Sequence, residues 1–177
     1  MRKNLVLTLS GPDKIGIVDR VTERVLKDGG NVEESRMGRL GGEFAMLMLV
    51  SVPAEGLDQL SRGVLSLQDE GYAVAVRETQ QTDPERYAGW VPYQVAVTGA
   101  DHEGIIHSIT HRLAERGINV ESMDTGTVTA SMSGTPLFTM AAVVLVPPDL
   151  TYRDLQSDLQ AVADDLNVDI DVSPYKG

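Results

Sequence analysis

Cysteine is absent from the 177 residues, and aromatic residues make up only 5% of them. The lack of cysteine excludes disulfides and thiolate metal sites, and it is compatible with a reducing compartment. No apolar run approaches the roughly 20 residues that a helix needs to span a bilayer, and no signal-like apolar segment follows the N-terminus. Hydrophobic residues at 42% of the chain therefore favour small aliphatic cores in a cytoplasmic protein.

The charge is negative and unevenly distributed. The net charge is −11, and residues 81–177 hold fourteen acidic but only five basic side chains. Nucleic-acid binding depends on clustered Lys and Arg, which neutralise phosphates. We therefore expect no direct binding to nucleic acid and no membrane association, so any effect on transcription would pass through a partner protein.

The chain contains an internal repeat. Residues 5–35 align with residues 93–123 at a constant offset of 88, and ten positions are identical. Further on, residues 44–53 align with 138–147 at an offset of 94, so the second repeat carries six extra residues between the two blocks. Two copies indicate a duplicated domain rather than a solenoid.

Each repeat reads as β-α-β-β-α-β. Leu5, Leu7 and Leu9 alternate with Val6 and Thr8, which gives the two-residue period of a strand. Ile17, Val18, Val21 and Val25 recur at helical spacing. Such units form a four-stranded antiparallel sheet with both helices on one face. The fold class is thus α+β, with two ferredoxin-like domains in tandem. The predicted bounds are 1–79 for the first domain, 80–92 for a polar linker with two prolines, and 93–177 for the second domain.

The strand near residues 43–52 is apolar on both of its faces. Ala45, Leu47 and Leu49 alternate with Phe44, Met46 and Met48. A strand of this kind needs cover on both sides. The sequence therefore predicts that the helix-free face packs on the other repeat or on another subunit, and that the protein is a homo-oligomer.

The segment between the first strand and the first helix of each repeat carries Gly-x-Asp-x-x-Gly-Ile, at residues 11–17 and 99–105. Glycine permits a sharp turn, and a helix start presents unpaired N–H groups that suit the carboxylate of a small molecule. A purely structural interpretation is that the glycines only allow the turn and that Asp13 and Asp101 cap the helices. The pattern by itself leaves both interpretations open.

The whole motif resembles the ACT domain, a regulatory module that commonly binds amino acids. It consists of a strand, the loop Gly-x-Asp-x-x-Gly-Ile, a helix and Gly-x-Asn-Val, in that order, within a βαββαβ unit. Two ACT units and nothing else resemble the glycine cleavage system transcriptional repressor family. The first repeat also resembles the ACT module of formyltetrahydrofolate deformylases. Neither loop has the His-x-Asn of the serine-binding members, so the identity of the ligand does not transfer.

The resemblance implies an effector site beside each loop, with the asparagine that opens strand 2 contacting the effector across an interface in some members. We expect the first repeat to be slightly favoured, because Lys14 and Arg36 lie near its loop and strand 2 and could add a cation for a carboxylate. The expected ligand-binding residues are Gly11, Asp13, Lys14, Gly16, Ile17 and Asn31, and Gly99, Asp101, His102, Gly104, Ile105 and Asn119.

Other chemistry is weakly indicated. His107 and His111 lie four apart on a helix and could hold a metal only with a third ligand, and their equivalents Asp19 and Glu23 favour a solvated polar face. No nucleophile with an evident base appears, so we expect no catalytic, metal or cofactor site. The extra residues at 124–136 are interpreted as a flexible hairpin, a lid or a partner arm.

The sequence thus predicts a non-enzymatic regulatory protein that binds an amino acid and acts on a partner protein. Transcriptional control of glycine metabolism is the specific form implied by the resemblance. Two alternatives remain open. One is a regulatory subunit or remnant of an enzyme such as a deformylase-like hydrolase, and the other is an assembly module without a ligand.

Overall fold

The structure, a computed structural model, describes residues 1–80, 86–129, 134 and 136–176. Contacts divide the chain into two units, Met1–Asp83 and Pro84–Gly177. Part of the predicted linker, 81–85, and part of the predicted insertion, 130–133 and 135, lie outside the described residues.

The first unit follows the order predicted from the periodicity. Its elements are β1 (Arg2–Pro12), α1 (Ile17–Lys27), β2 (Asn31–Leu40), β3 (Glu43–Pro53), α2 (Leu57–Leu65) and β4 (Ala73–Thr79). Short 3-10 segments at Ala54–Gly56 and Ser66–Glu70 flank α2. The turn between β2 and β3 falls at Gly41 and Gly42, which both have positive φ.

The second unit repeats this order. Its elements are β5 (Val91–Ala100), α3 (Ile105–Glu115), β6 (Asn119–Thr129), β7 (Pro136–Val146), α4 (Tyr152–Leu166) and β8 (Val168–Pro174). Strand β5 begins two residues earlier than the sequence pattern predicts, because Val91 and Pro92 pair with Val146 and Leu145 of β7.

Both sheets are four-stranded and antiparallel, in the orders β2-β3-β1-β4 and β6-β7-β5-β8. The predicted fold class, two tandem ferredoxin-like α+β domains, is confirmed. Strand β2 carries a register shift between Val32 and Glu34, and β6 carries the same irregularity between Val120 and Ser122. Each repeat thus places a β-bulge just after its opening asparagine.

Each unit has its own core between the sheet and its two helices. In the first unit, Leu7 of β1 pairs with Met48 of β3, and both are 1% exposed. Val21 of α1 and Leu60 of α2 are fully buried against this face. The alternation of buried and exposed residues along β1 follows the two-residue period of a strand, so Leu5, Leu7 and Leu9 all point to the helices.

The opposite sheet face of the first unit is open. Leu47 is 48% exposed, and Ala45 and Thr8 are also exposed. The cover that the sequence predicts for β3, by the other repeat or by another subunit, stays a prediction. Within the described residues, no helix is long and apolar enough to cross a membrane.

Candidate functional site

The first loop leaves β1 at a crowded glycine. A Cβ at Gly11 would lie 2.7 Å from Cδ1 of Tyr72 and 3.2 Å from the carbonyl oxygen of Gly71. Real carbon atoms in contact stay about 3.5–4.0 Å apart, so any side chain at this position would displace the tyrosine. Gly11 is thus required by the close approach of the residue that precedes β4.

Helix α1 begins at Gly16 for a different reason. Gly16 is the N-cap, with φ 87° in the left-handed region, and nothing lies within 4 Å of the position that a Cβ would occupy. The amide of Ile17 donates to the carbonyl of Lys14 at 3.2 Å. The following amides of Val18 and Asp19 belong to the first turn, which has no intrahelical acceptor for them.

Asp13 does not cap α1, so the purely structural interpretation of this residue is wrong. Its amide donates to the carbonyl of Gly42 at 3.1 Å, and its carboxylate lies 3.7 Å from Nη1 of Arg39. Lys14 places its Nζ over the Tyr72 ring, 5.6 Å from the centroid. Ile17, predicted to contact the ligand, has a side chain that is only 3% exposed and packs in the core, so only its backbone faces the loop.

Arg36 does not lie at the loop. It sits opposite Leu47 on the open sheet face and pairs with Glu34 at 2.8 Å. Arg39 is the cation that neighbours Asp13, because it faces Phe44, which is itself paired with Gly11. Arg36 therefore adds no cation at the loop, and the expected preference for the first repeat depends on Lys14 and stays a prediction.

The second loop repeats the crowded first glycine and the left-handed N-cap glycine. A Cβ at Gly99 would lie 2.6 Å from Cγ1 of Val168, whereas Gly104 is the N-cap of α3 with φ 92° and open space around it. Asp101 does not cap α3 either. One of its carboxylate oxygens accepts from Oγ1 of Thr127 at 3.4 Å.

His102 links the second loop to the C-terminal end of α4 by a hydrogen bond. Its Nδ1 lies 3.0 Å from the carbonyl oxygen of Glu103, and its Nε2 lies 2.9 Å from that of Leu166. Both ring nitrogens can donate at once only in the imidazolium form. The hydrogen bonds to Glu103 and then Leu166 raise the pKa of His102, and the negative charge of Asp101 acts in the same direction. The C-terminal end of α4 also favours a cation.

An open cavity of about 430 Å³ lies beside the start of α3. The sequence-predicted residues Asp101, His102, Gly104 and Ile105 line it together. Ile106, His107 and Phe138 complete the lining. The cavity thus combines a carboxylate, an imidazole, the backbone of a helix start and apolar surface within one small volume.

The asparagines are not part of either loop site within their own unit. Asn31 pairs with Ser51, whereas Gly11 pairs with Phe44, and Asn119 and Gly99 are separated in the same way. Seven residues of strand correspond to about 23 Å. Asn31 instead donates from Nδ2 to Glu33 at 3.1 Å.

This far end of the first unit holds a polar network that the repeat does not share. Ser51, 7% exposed, donates to Glu33, and Arg2 Nη2 donates to the Ser51 carbonyl at 2.8 Å. The hydrogen bonds from Ser51 and then Asn31 lower the pKa of Glu33. Leu145 stands at the repeat position of Ser51.

The two histidines of α3 stack on each other, with ring centroids 5.8 Å apart. His111 Nε2 lies 3.5 Å from a carboxylate oxygen of Glu115. Across residues 1–80, 86–129 and 136–176, no group of three His, Asp or Glu side chains is placed to hold a metal ion.

Sequence reasoning missed Arg39, Tyr72, Phe138 and Leu166. Tyr72 and Val168 occupy equivalent positions after the second helix of each repeat, and the difference between them was visible in the sequence. The contact of His102 with Leu166 was not, because 64 residues separate the two.

Comparison with known proteins gives one family and several relatives. The family model described as ACT domain matches residues 3–76. The glycine cleavage system transcriptional repressor of Escherichia coli (strain K12) is 47% identical over 47 residues, which are 27% of this chain and 25% of the relative. This alignment therefore spans a quarter of the length of the curated relative.

Two solved structures match over nearly the whole chain. An unknown protein from Galdieria sulphuraria has a TM-score of 0.83 and 30% identity, with 99% of this chain and 100% of that chain covered. A structure proposed to be a glycine cleavage system transcriptional repressor has a TM-score of 0.74 and 25% identity, with 100% and 99% covered. Both likenesses include the two-unit architecture.

Proposed function

Because the first unit of this chain belongs to the ACT domain family and the second unit repeats its fold, we propose that the chain is a non-enzymatic regulatory protein that binds an amino acid and acts on a partner protein. The names of two relatives concern repression of the glycine cleavage system. The specific form of the proposal is therefore transcriptional control of glycine metabolism, with glycine as the first ligand to test.

The observation that carries the proposal is the cavity beside α3. An amino-acid zwitterion needs donors for its carboxylate and an acceptor for its ammonium group. The amides at the start of α3 can serve the carboxylate, since the helix start leaves them without intrahelical partners and the helix dipole favours an anion. Asp101, which lines the same cavity, can accept from the ammonium group.

The first loop can offer a related site with a different cation. Lys14 stands at the repeat position of His102, and its amine lies over Tyr72 rather than on a helix end. Asp13 and Gly16 correspond to Asp101 and Gly104. A contribution from Asn31 or Asn119 would require the loop of a different ACT unit, because neither asparagine reaches the loop of its own.

A thermal-shift screen of the whole chain against the amino acids tests the proposal. A ligand that binds only the folded state at 100 times its Kd stabilises that state by about 2.7 kcal/mol. In a domain of this size, each kcal/mol raises Tm by about 4–8 °C. A screen in which no amino acid, glycine included, shifts Tm at millimolar concentration would contradict amino-acid binding and favour the assembly module.

Asp101→Asn and Asp13→Asn assign the binding to a loop. Removal of one charged contact should weaken binding by about 1.5–3 kcal/mol, which is roughly 10- to 150-fold in Kd. Asp164→Asn, an exposed carboxylate on α4, is the matched control and should bind like the wild type. Unchanged Kd in both loop variants, with both still folded, would show that the loops are helix starts only.

We further propose that the partner is a protein, that chains associate with each other, and that the molecule works in the cytoplasm. The net charge of −11 supports a protein partner over DNA. A low-salt gel shift with specific and random duplexes checks this, and salt-sensitive binding at nanomolar protein would overturn it. Affinity capture with and without the amino acid identifies the partner, and an enzyme recovered there would favour the regulatory-subunit alternative.

A further inference from the structure

The sheet face opposite the helices, called here the open face, carries one exposed row across all four strands of the first unit. Strand pairing aligns Arg36 of β2 with Leu47 of β3, Leu47 with Thr8 of β1, and Thr8 with Ala75 of β4. All four are exposed, and Leu47 projects as the one large apolar side chain of the row. The row is thus a central leucine with a basic edge.

The equivalent row of the second unit has the opposite character. Asp124 of β6 aligns with Ala141 of β7, Ala141 with Ala96 of β5, and Ala96 with Asp171 of β8. Alanine stands where the first unit has Leu47, and aspartates stand at both edges. This row is thus a shallow apolar centre between two carboxylates.

The charged residues of the two open faces also differ in sign near the centre of each face. Around the Leu47 row, the first open face carries Arg36 and Arg77 with one acid, Glu34, which pairs with Arg36. Toward the ends of the sheet, the same face also carries Glu43, and Arg2 and Glu33 beside Ser51. The second carries Asp124, Asp169 and Asp171, and its described strands place no basic side chain there. Within the described part of the chain, neither Arg77 nor any of these three aspartates takes part in an ion pair.

We propose that the open face of the first unit packs on the open face of the second unit of another copy of this chain. Two such contacts close a symmetric dimer, since each chain supplies one face of each kind. Sheets pack face to face at about 10 Å, so Leu47 can fill the shallow centre formed by Ala141 and Ala96. Arginines on one face then meet aspartates on the other, which also prevents two like faces from pairing.

This inference extends the proposed association of chains and requires no ligand. A failure of amino-acid binding would appear in the thermal-shift screen, whereas a failure of this inference would appear in sedimentation. The two outcomes are therefore distinguishable.

Charge exchange between two variants provides the test. Variant one carries Arg36→Glu and Arg77→Glu, so both of its open faces are acidic. Variant two carries Asp124→Lys and Asp171→Lys, so the centre of its second open face becomes basic, like the centre of its first. Each variant alone can form only like-charged contacts, but a mixture of the two can form a dimer in which both contacts join opposite charges.

Analytical ultracentrifugation at low salt should show a wild-type dimer at micromolar concentration. Each variant alone should dissociate with a Kd raised about 100-fold, because like charges face each other across the contact. An equimolar mixture should form the heterodimer with near wild-type affinity. Rising salt should weaken the wild-type dimer, since exposed charges are screened.

Two controls carry the same net charges on the helices instead. Lys27→Glu with Arg153→Glu matches variant one, and Glu23→Lys with Asp164→Lys matches variant two, all at exposed positions. Both controls should dimerise like the wild type. The single substitutions Arg77→Glu and Asp171→Lys repeat the exchange if a double variant unfolds.

Three results would overturn the proposal. The first is a monomeric wild type, which would leave the open faces to a different partner. The second is dimerisation of the two variants with the same Kd as the controls. The third is an equimolar mixture that fails to restore the dimer.

Discussion

Replacement of a loop glycine by alanine distinguishes two reasons for which the chain needs glycine. At Gly99, a Cβ would lie 2.6 Å from Cγ1, 2.9 Å from Cβ and 3.0 Å from Cα of Val168. At Gly104, nothing lies within 4 Å, but φ is 92°. The first substitution creates a clash inside the unit, whereas the second strains only the backbone.

The magnitudes follow from these two causes. Overpacking of this kind costs about 1–3 kcal/mol, so Gly99→Ala should lower the free energy of unfolding of the second unit by that amount. A left-handed alanine costs about 1–2 kcal/mol, which sets the expectation for Gly104→Ala. Val168→Ala removes the nearest atom but leaves Cβ and Cα, so it should relieve Gly99→Ala only in part.

The assay is a double-mutant cycle in urea. Trp90 is the only tryptophan and lies directly before β5, so its fluorescence follows the second unit while circular dichroism follows both. Gly99→Ala and Val168→Ala should couple by about 0.5 kcal/mol or more, and Gly104→Ala with Val168→Ala should be additive. A stability of Gly99→Ala equal to the wild type, or no coupling in its cycle, would refute the crowding argument.

Three further predictions concern other elements. His102→Ala should lower Tm most at acidic pH, because folding raises the pKa of His102. The stability that protonated His102 contributes is complete below its pKa in the unfolded chain, near 6.5, and is lost as the pH rises through its pKa in the folded protein. Melting curves from pH 5 to 9 check this, and a difference in Tm that is constant with pH would contradict it. Thr151→Ala removes the capping box with Asp154 and should lower the free energy of unfolding by about 1 kcal/mol. Urea titration measures this, and a clearly larger loss of stability at an unchanged m-value would mean that Thr151 does more than cap α4. Leu7→Ala, at a position 1% exposed, should cost about 2–5 kcal/mol in the same titration, and a loss below 1 kcal/mol would mean that β1 repacks.

The sequence determined the fold because the chain carries the same pattern of elements twice, once in each repeat. Leu5, Leu7 and Leu9 alternate as a strand must, and Ile17, Val21 and Val25 recur as a helix facing a core must. These are local periodicities, and a duplicated order of elements leaves few ways to pair the strands. The position of the loops between the first strand and first helix followed directly from that order.

Only the tertiary structure decided which residues meet at the loops. Asp13 and Arg39 approach because β2 and β3 bring Arg39 beside Phe44, and His102 meets Leu166 because α4 ends above the second loop. Such contacts join residues distant in sequence, and no periodicity encodes them. The same holds for the separation of Asn31 from Gly11: strand register places the two at opposite ends of one sheet, although the sequence motif sets them only twenty residues apart.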